Sequence, residues 1–437
     1  MKVNIPESNQ ERIVIIGGGF AGLSLAKKVS KLDYQVVLVD KHNFHQFQPL
    51  FYQVAMAGLE PSSIAFPYRK LFQSEKRDFY IRIAEVTNVN TEERYLKTSL
   101  GIMNYDHLVI AIGADTNFFG NENLAKYCLP MKSMGEALHI RNEILTDYEY
   151  ALSTRNYEER QGLVDVVIVG GGPTGVEVAG AMAEMRKYVL PKDYKELDPK
   201  EVDIYLIQSG PVLLKGMSEN ASKNALKFLQ DLDVRVQLNS RVTDVDGQYV
   251  YLKDGTKIHA KKVIWAAGIK GNTIEGLPAD SLVRGNRIKV NTHNEVLGLD
   301  RVYAIGDIAY MADEEVYPYG HPQVAQVAIQ QGKNLAKNFK NIQKKKSLQS
   351  FVYNDKGSMA TIGRHLAVVD LPRFKFSGGF AWFVWLFVHL FSIIGTRNRM
   401  IVFFNWVWNY FTYDQSLRLI MRSKEPETQE SKITENV

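Results

Sequence analysis

Two short apolar runs, Ile13–Ile16 and Val166–Val169, each stop at a glycine triplet, and each is followed by a stretch with helical patterning. This pattern predicts a strand at Arg12–Ile16, a glycine turn, a helix from about Ala21 to Ser30, and a strand from Gln35 to Val39 that ends in Asp40. The same order recurs from Asp165, with a helix from Val176 to about Tyr188 and a strand over Asp203–Ile207. The Lys-, Pro- and Asp-rich stretch 190–201 between them reads as a surface loop. Further strands are predicted at His107–Ile112 and Lys262–Ala267, which run into Gly113 and Gly268, and at Arg301–Ile305, which stops at Gly306-Asp307. A hairpin is predicted over Gln248–His259, turning at Asp254-Gly255.

Gly17-Gly18-Gly19-Phe20-Ala21-Gly22 and Gly170-Gly171-Gly172-Pro173-Thr174-Gly175 both carry the G-x-G-x-x-G spacing directly after a strand. Small residues there let a diphosphate reach the amides of a helix N-terminus. Gly17, Gly19, Phe20, Ala21 and Gly22 are therefore candidate contacts to one dinucleotide, and Gly170, Gly172, Thr174 and Gly175 to a second. Asp40, 18 residues beyond Gly22, is placed to accept from ribose hydroxyls, with Lys41 next to it. Gly113 and Gly268 sit at strand ends, where a parallel sheet meets its ligand. Asp307 either receives a ribityl hydroxyl, with the next helix facing the diphosphate, or simply caps that helix. Gln208 ends the second strand of the second unit, where an NADH site usually carries an acid. An amide there neither repels a 2'-phosphate nor clamps one, so the choice between NADH and NADPH stays open.

The resulting fold class is α/β: two Rossmann-like dinucleotide-binding domains, one inserted in the other, plus a C-terminal membrane-associating helical segment. Expected boundaries are 1–120 with 280–345 for the first domain, 121–279 for the second with its linker, 346–424 for the C-terminal region and 425–437 for a polar tail. The second domain is the insert because Gly306-Asp307 completes the first site from beyond it.

Composition narrows the chemistry. Lys+Arg 53 against Asp+Glu 48 leaves a net charge of +5 with no concentrated basic arm, so no nucleic-acid partner is expected. One cysteine, Cys128, rules out an intrachain disulfide and a C-x-x-C redox pair. The polar stretch 1–11 leads into the first strand without a separate apolar segment, so a cytosolic chain is the starting expectation.

Three groups are candidates for the redox chemistry. Glu177 either balances the helix dipole or places a polar group near the nicotinamide or second substrate. Gln323, Gln326 and Gln330, with Ala325, follow His321-Pro322 and share one face of an expected helix, either toward solvent or toward the carbonyls of a flavin or quinone. The aromatic and amide stretch Gln46–Ala55, including Gln53, suits a wall around an isoalloxazine ring or ordinary core packing.

After Gly378 the composition changes. Ala381–Ile394 and Met400–Tyr413 are each fourteen residues free of Asp, Glu, Lys and Arg, separated by a basic break at Arg397 and Arg399. Each run would rise roughly 21 Å as a helix, short of the roughly 30 Å hydrocarbon core. The expectation is an interfacial pair lying on one leaflet, with Asn405, Asn409 and Thr412 on one stripe and Arg397, Arg399, Arg418, Arg422 and Lys424 toward lipid headgroups. A buried dimer or interdomain helix pair is the alternative.

The two glycine motifs with Asp40, Val176-Glu177, Ala304-Ile305-Gly306-Asp307, Ala325-Gln326 and the aromatic C-terminus together resemble the type II NADH:quinone oxidoreductases, from about Arg12 to Ile420. That resemblance implies noncovalent FAD in the first site, NADH or NADPH as substrate in the second, and two-electron reduction of a membrane quinone without proton pumping. It further implies a homodimer, peripheral on the cytoplasmic face of the bacterial inner membrane. By motif it implies catalytic roles for Glu177 and Gln326, and for Lys375 as the quinone-side lysine. The missing acid at Gln208 departs from the family pattern. A membrane-attached NADPH diaphorase or ferredoxin reductase, and a nonenzymatic redox sensor, are the competing readings.

Overall fold

The computed structural model describes residues 1–74, 78–311, 316–412 and 417–421. Tyr413, Arg422, Lys424 and the expected tail 425–437 lie outside the described residues.

Each glycine strand lies at the centre of a five-stranded parallel sheet. The first sheet runs in the order Val302–Ala304, His107–Ile110, Arg12–Ile16, Gln35–Asp40, Phe79–Ile83. The second runs Cys128–Pro130, Lys262–Trp265, Val166–Val169, Ile204–Ile207, Arg235–Gln237. The two share more than order. Gly17 N donates to Val39 O, and Gly170 N to Ile207 O, each at 2.8 Å; Ala111 N donates to Ile16 O, and Ala266 N to Val169 O, also at 2.8 Å. Val302–Ala304 follows the second unit in sequence yet pairs with His107–Ile110 in the first, so the second unit is inserted in the first. An antiparallel ribbon of Ala114–Thr116 with Ile269–Gly271 joins the two where the chain crosses over.

Several element bounds differ from expectation. The glycine helices start earlier, at Phe20 and Pro173; in the second, proline is pre-organised for the first helical turn. The second helix, Pro173–Glu184, passes through a π-helical stretch, Met185–Val189, into another turn, Leu190–Asp193. The stretch 190–201 is therefore not a plain surface loop: Leu190, Tyr194 and Leu197 are buried in it. Gly306-Asp307 opens only a three-residue 3-10 turn, followed by the strand Ala309–Met311, so no helix N-terminus follows Asp307 directly. The glutamine helix begins at Ala325, which leaves Gln323 ahead of it.

The C-terminal region opens with an antiparallel meander, Ser358–Gly363, Leu366–Asp370 and Lys375–Ser377. Two helices follow, Gly379–Ser392 and Thr396–Thr412. Arg397 and Arg399 thus lie inside the second helix rather than in a break. Arg399 turns inward and donates to Ile393 O at 2.8 Å and Phe391 O at 3.1 Å, serving carbonyls that the end of the first helix leaves without partners. Arg418 pairs with Asp193, so neither arginine is free for headgroups. Arg397 remains exposed.

The meander docks on the second glycine helix without a spacer. A Cβ on Gly180 would lie 1.6 Å from the carbonyl oxygen of Ile362, which is backbone and cannot move aside cheaply. Gly180→Ala is therefore expected to destabilise the protein by about 1–3 kcal/mol through forced separation of helix and meander. Chemical denaturation measures this, and an unchanged midpoint and slope would contradict the close packing.

Candidate functional site

Both glycine turns are shaped by contacts that exclude side chains. Gly17 and Gly170 have φ of +97° and +113°, and a Cβ on Gly22 or Gly175 would stand 1.9 Å from the carbonyl of Gly17 or Gly170. Gly19 and Gly172, by contrast, have nothing within 4 Å of where a Cβ would be. These open positions sit at the N-termini of Phe20–Val29 and Pro173–Glu184, where unpaired amides suit a diphosphate.

A residue at the end of each second strand, the last of the strand in Asp40 and the one after it in Gln208, holds the middle glycine. Asp40 Oδ2 accepts from Gly18 N at 2.6 Å and Gln208 Oε1 accepts from Gly171 N at 2.9 Å. Asp40 also accepts from His42 N at 2.7 Å and from the Tyr68 hydroxyl at 3.2 Å. His45 stays neutral, driven down to about 4 by burial, with Nδ1 set 3.1 Å from Gly18 O. Phe20 packs edge-on to His45 and Phe47, while Lys41 and Thr174 are exposed. Lys215 is exposed on the loop whose Leu214 N donates to Gly171 O at 2.7 Å.

On the opposite side of the first turn, a Cβ on Gly306 would lie 3.0 Å from Ala21 Cβ, and Gly306 N donates to the buried Gln331 Oε1 at 2.7 Å. Gln323 Nε2 donates to Asp307 O at 2.9 Å. Burial raises the Asp307 carboxyl, against the pull of Lys132 and Arg287, and among the described residues no donor reaches that carboxylate. A half-buried acceptor left open beside the first cradle fits a ribityl hydroxyl of FAD. Gly113 (φ +70°) has open space where its Cβ would be, whereas a Cβ on Gly268 (φ +82°) would meet the Phe119 ring at 2.8 Å.

Glu177 does not point along the diphosphate cradle. It faces the Thr361 amide and the Trp385 indole, and burial lifts its carboxyl to about 8 despite both. The indole N–H lies toward the carboxyl without closing a hydrogen bond. Tyr52, also fully enclosed, has its hydroxyl raised by burial and by the Glu177 charge, and accepts from Gln53 Nε2 at 2.8 Å. Gln53 Oε1 in turn accepts from Trp406 Nε1 at 2.8 Å. Seven residues after Glu177, Glu184 is raised to about 7 by burial while accepting from the Arg364 amide.

The structure thus brings Glu177 together with the 46–55 segment and the first aromatic helix, but places Gln326 elsewhere. Gln326 donates to Gly357 O at 3.0 Å and accepts from Lys356 N at 3.1 Å; Gln330 holds Asn354 at 2.9 and 3.0 Å in the same two-sided way. These amides tether the chain leading into the meander. Lys375 is exposed on the outer strand of that meander. Tyr68, Gln331, Thr361, Trp385 and Glu184 escaped the sequence reading. For Trp385 the signal was present, but it was absorbed into the apolar run.

Of the expected stripe Asn409 faces inward, joined by Asn398; Asn405 is half-buried and Thr412 donates to Trp408 O of its own helix. Asn398 Nδ2 donates to Ala65 O at 3.0 Å and Asn409 Nδ2 to Gly58 O at 3.3 Å. Phe380, Phe383, Phe387, Phe391, Phe404, Trp408 and Phe411 of the pair are each more than half exposed. Among the described residues, no helix is long and apolar enough to cross a membrane.

Comparison with known proteins agrees with this geometry. Residues 11–332 match the family described as pyridine nucleotide-disulphide oxidoreductase, and residues 356–413 match the NDH2 C-terminal domain. The solved NDH2 of Plasmodium falciparum in complex with NADH superposes with a TM-score of 0.86 at 24% identity, covering 95% of this chain and 100% of that one. The sulfide:quinone oxidoreductase of Aquifex aeolicus superposes with a TM-score of 0.68 at 17% identity, covering 92% of this chain and 95% of that one. The type II NADH:quinone oxidoreductase NdhA of Mycobacterium tuberculosis is 34% identical over 414 residues, 91% of this chain and 86% of that protein. By both its dinucleotide-binding fold and its C-terminal domain, the chain belongs to the type II NADH:quinone oxidoreductases.

Proposed function

We propose that NADH is oxidised at the second glycine helix, that FAD is held on the first, and that a quinone is reduced where Tyr52, Glu177 and Trp385 meet. The observation that carries this reading is the buried Glu177, enclosed between the 46–55 wall and the first helix of the aromatic pair, where burial raises its carboxyl to about 8. Gly17, Gly19, Gly22, Asp40, Gly306 and Asp307 would hold FAD, and Gly170, Gly172, Gly175 and Gln208 the nicotinamide nucleotide. When bound, FAD supplies acceptance of a hydride and delivery of two electrons.

Reduction of a quinone by NADH draws one proton from solvent beyond the hydride, and a carboxyl near 8 holds such a proton at neutral pH. Gln326 acts at a distance, by positioning the chain into the strand whose Thr361 amide meets Glu177. Lys375 stands just before the first aromatic helix, in a place to meet an arriving headgroup or lipid phosphate. The outward aromatic face supports peripheral attachment to one leaflet; the cytoplasmic side of a bacterial inner membrane is part of the same proposal. Domain limits near 120, 280 and 345 and a homodimer belong to the same reading; light scattering of the detergent-solubilised protein tests the latter.

Glu177→Gln is expected to cut quinone turnover by about tenfold or more while stopped-flow bleaching of the flavin by NADH proceeds. In the wild type, turnover should fall as pH rises through about 8, because the carboxyl then gives up its proton. The glutamine variant should lack that limb. Equal pH profiles in both proteins would remove Glu177 from the proton path.

The seat shared by Asp40 and Gln208 generates a second expectation. Gln208→Glu should raise the NADH:NADPH ratio of kcat/KM by about tenfold, about 1.4 kcal/mol, because a carboxylate repels a 2'-phosphate. An unchanged ratio would show that this side chain does not face the ribose.

A further inference from the structure

His389 lies one helical turn after Trp385 on the inward side of Gly379–Ser392. The two rings stack with centroids 4.0 Å apart and planes 22° apart, and Phe47 closes on the imidazole edge-on at 6.4 Å. His389 Nδ1 is 2.8 Å from Trp385 O. A carbonyl can only accept, so Nδ1 carries the proton, and a neutral ring then presents Nε2 as a bare acceptor. Among the described residues Nε2 has no partner. The neighbouring polar groups are engaged: Gln53 donates to Tyr52 and accepts from Trp406, whose ring lies 6.0 Å from Trp385.

This arrangement distinguishes the two redox states of an acceptor. The ring oxygens of a quinone only accept and gain nothing from a bare nitrogen, whereas those of a quinol are hydroxyls that donate. We propose that His389 is a specificity-determining residue whose Nε2 takes a hydrogen bond from a ring hydroxyl of the quinol, so that it sets how tightly product is held. The inference rests on the quinone site proposed above. Burial brings the imidazole down to about 4, so the ring remains a neutral acceptor at neutral pH. Glu177, toward the indole N–H of the same Trp385 and raised to about 8 by burial, is its complement: two titratable groups whose environments drive them in opposite senses.

The test uses the full-length, flavin-loaded enzyme in detergent with a short-chain ubiquinone and its quinol. Wild-type turnover of the quinone is read first, and failure there overturns the quinone site itself. In His389→Phe, which keeps a stacked ring, the inhibition constant of the quinol should rise about five- to tenfold, with a smaller change in the KM for quinone. His389→Gln, which restores an acceptor, should recover part of that loss. Unchanged quinol inhibition in His389→Phe, or parallel shifts of quinol inhibition and quinone KM in both variants, would overturn the role. A measurement that needs no variant settles the same point: the di-O-methyl ether of the quinol, having no hydroxyl, should inhibit wild type about fivefold more weakly than the quinol. Equal inhibition by the two would also overturn the proposal.

Discussion

The architecture turns on one backbone approach, that of the second glycine helix to the C-terminal meander at Gly180 and Ile362. Because no side chain separates them, the helix that offers its N-terminal amides to one nucleotide also forms a wall of the buried region under the aromatic pair. A single core then runs through Val166 and Ile168 of the inserted sheet, Val176 and Met182 of the helix, Ile362 of the meander, and Trp385 and Val402 of the terminal helices. Phe51 and Val54, from the first unit, join the same core. Glu177 lies within this junction, and its raised carboxyl is a consequence of that placement. Little water reaches it, and the Thr361 amide returns only part of the lost solvation.

What could be read from sequence follows from how local each signal is. A position where any Cβ would fall 1.9 Å from a carbonyl oxygen admits only glycine on steric grounds, so both nucleotide turns were legible from spacing alone. The inserted order was legible too, since Gly306-Asp307 falls after the second motif. The stretch 190–201 misled because its composition is polar while its three spaced apolar residues are buried. Asp307 follows a glycine that lies against Ala21 of the first turn, but the helix expected after it is a strand. Gln326 looked like a site residue because its neighbours permit close approach; its two-sided grip on Lys356 and Gly357 is a tertiary contact that no periodicity encodes. Trp385 and His389 were hidden for the opposite reason, standing in a run whose overall character points to lipid.

The repeated unit also shows how one seat serves two chemistries. Asp40 and Gln208 both hold the amide of a middle glycine, so the turn is supported equally well by a charged or a neutral acceptor. What differs is what remains. Asp40 has its second oxygen on His42 N and a hydroxyl from Tyr68, which hold its carboxyl group in place beside the first cradle. Gln208 supports its turn without a charge, so the fold of the second site does not require the acid that would select against a phosphate.

The orientation of the aromatic pair comes from its few polar side chains. Asn398, Asn409 and Trp406 donate to Ala65, Gly58 and Gln53, and Arg399 covers the carbonyl end of the preceding helix. These bonds fix the roll of the last helix, so Phe404, Trp408 and Phe411 must face outward. Ala65, Gly58 and Gln53 all belong to the segment that follows the ribose strand of the first unit. The outward aromatic face is therefore registered, through the carbonyls of Ala65 and Gly58 and the Gln53 side chain, against the segment 46–65 of the first unit. A stripe of asparagine in an apolar helix, which reads in isolation as a concession to the interface, is here the device that aligns the membrane surface with the redox centre.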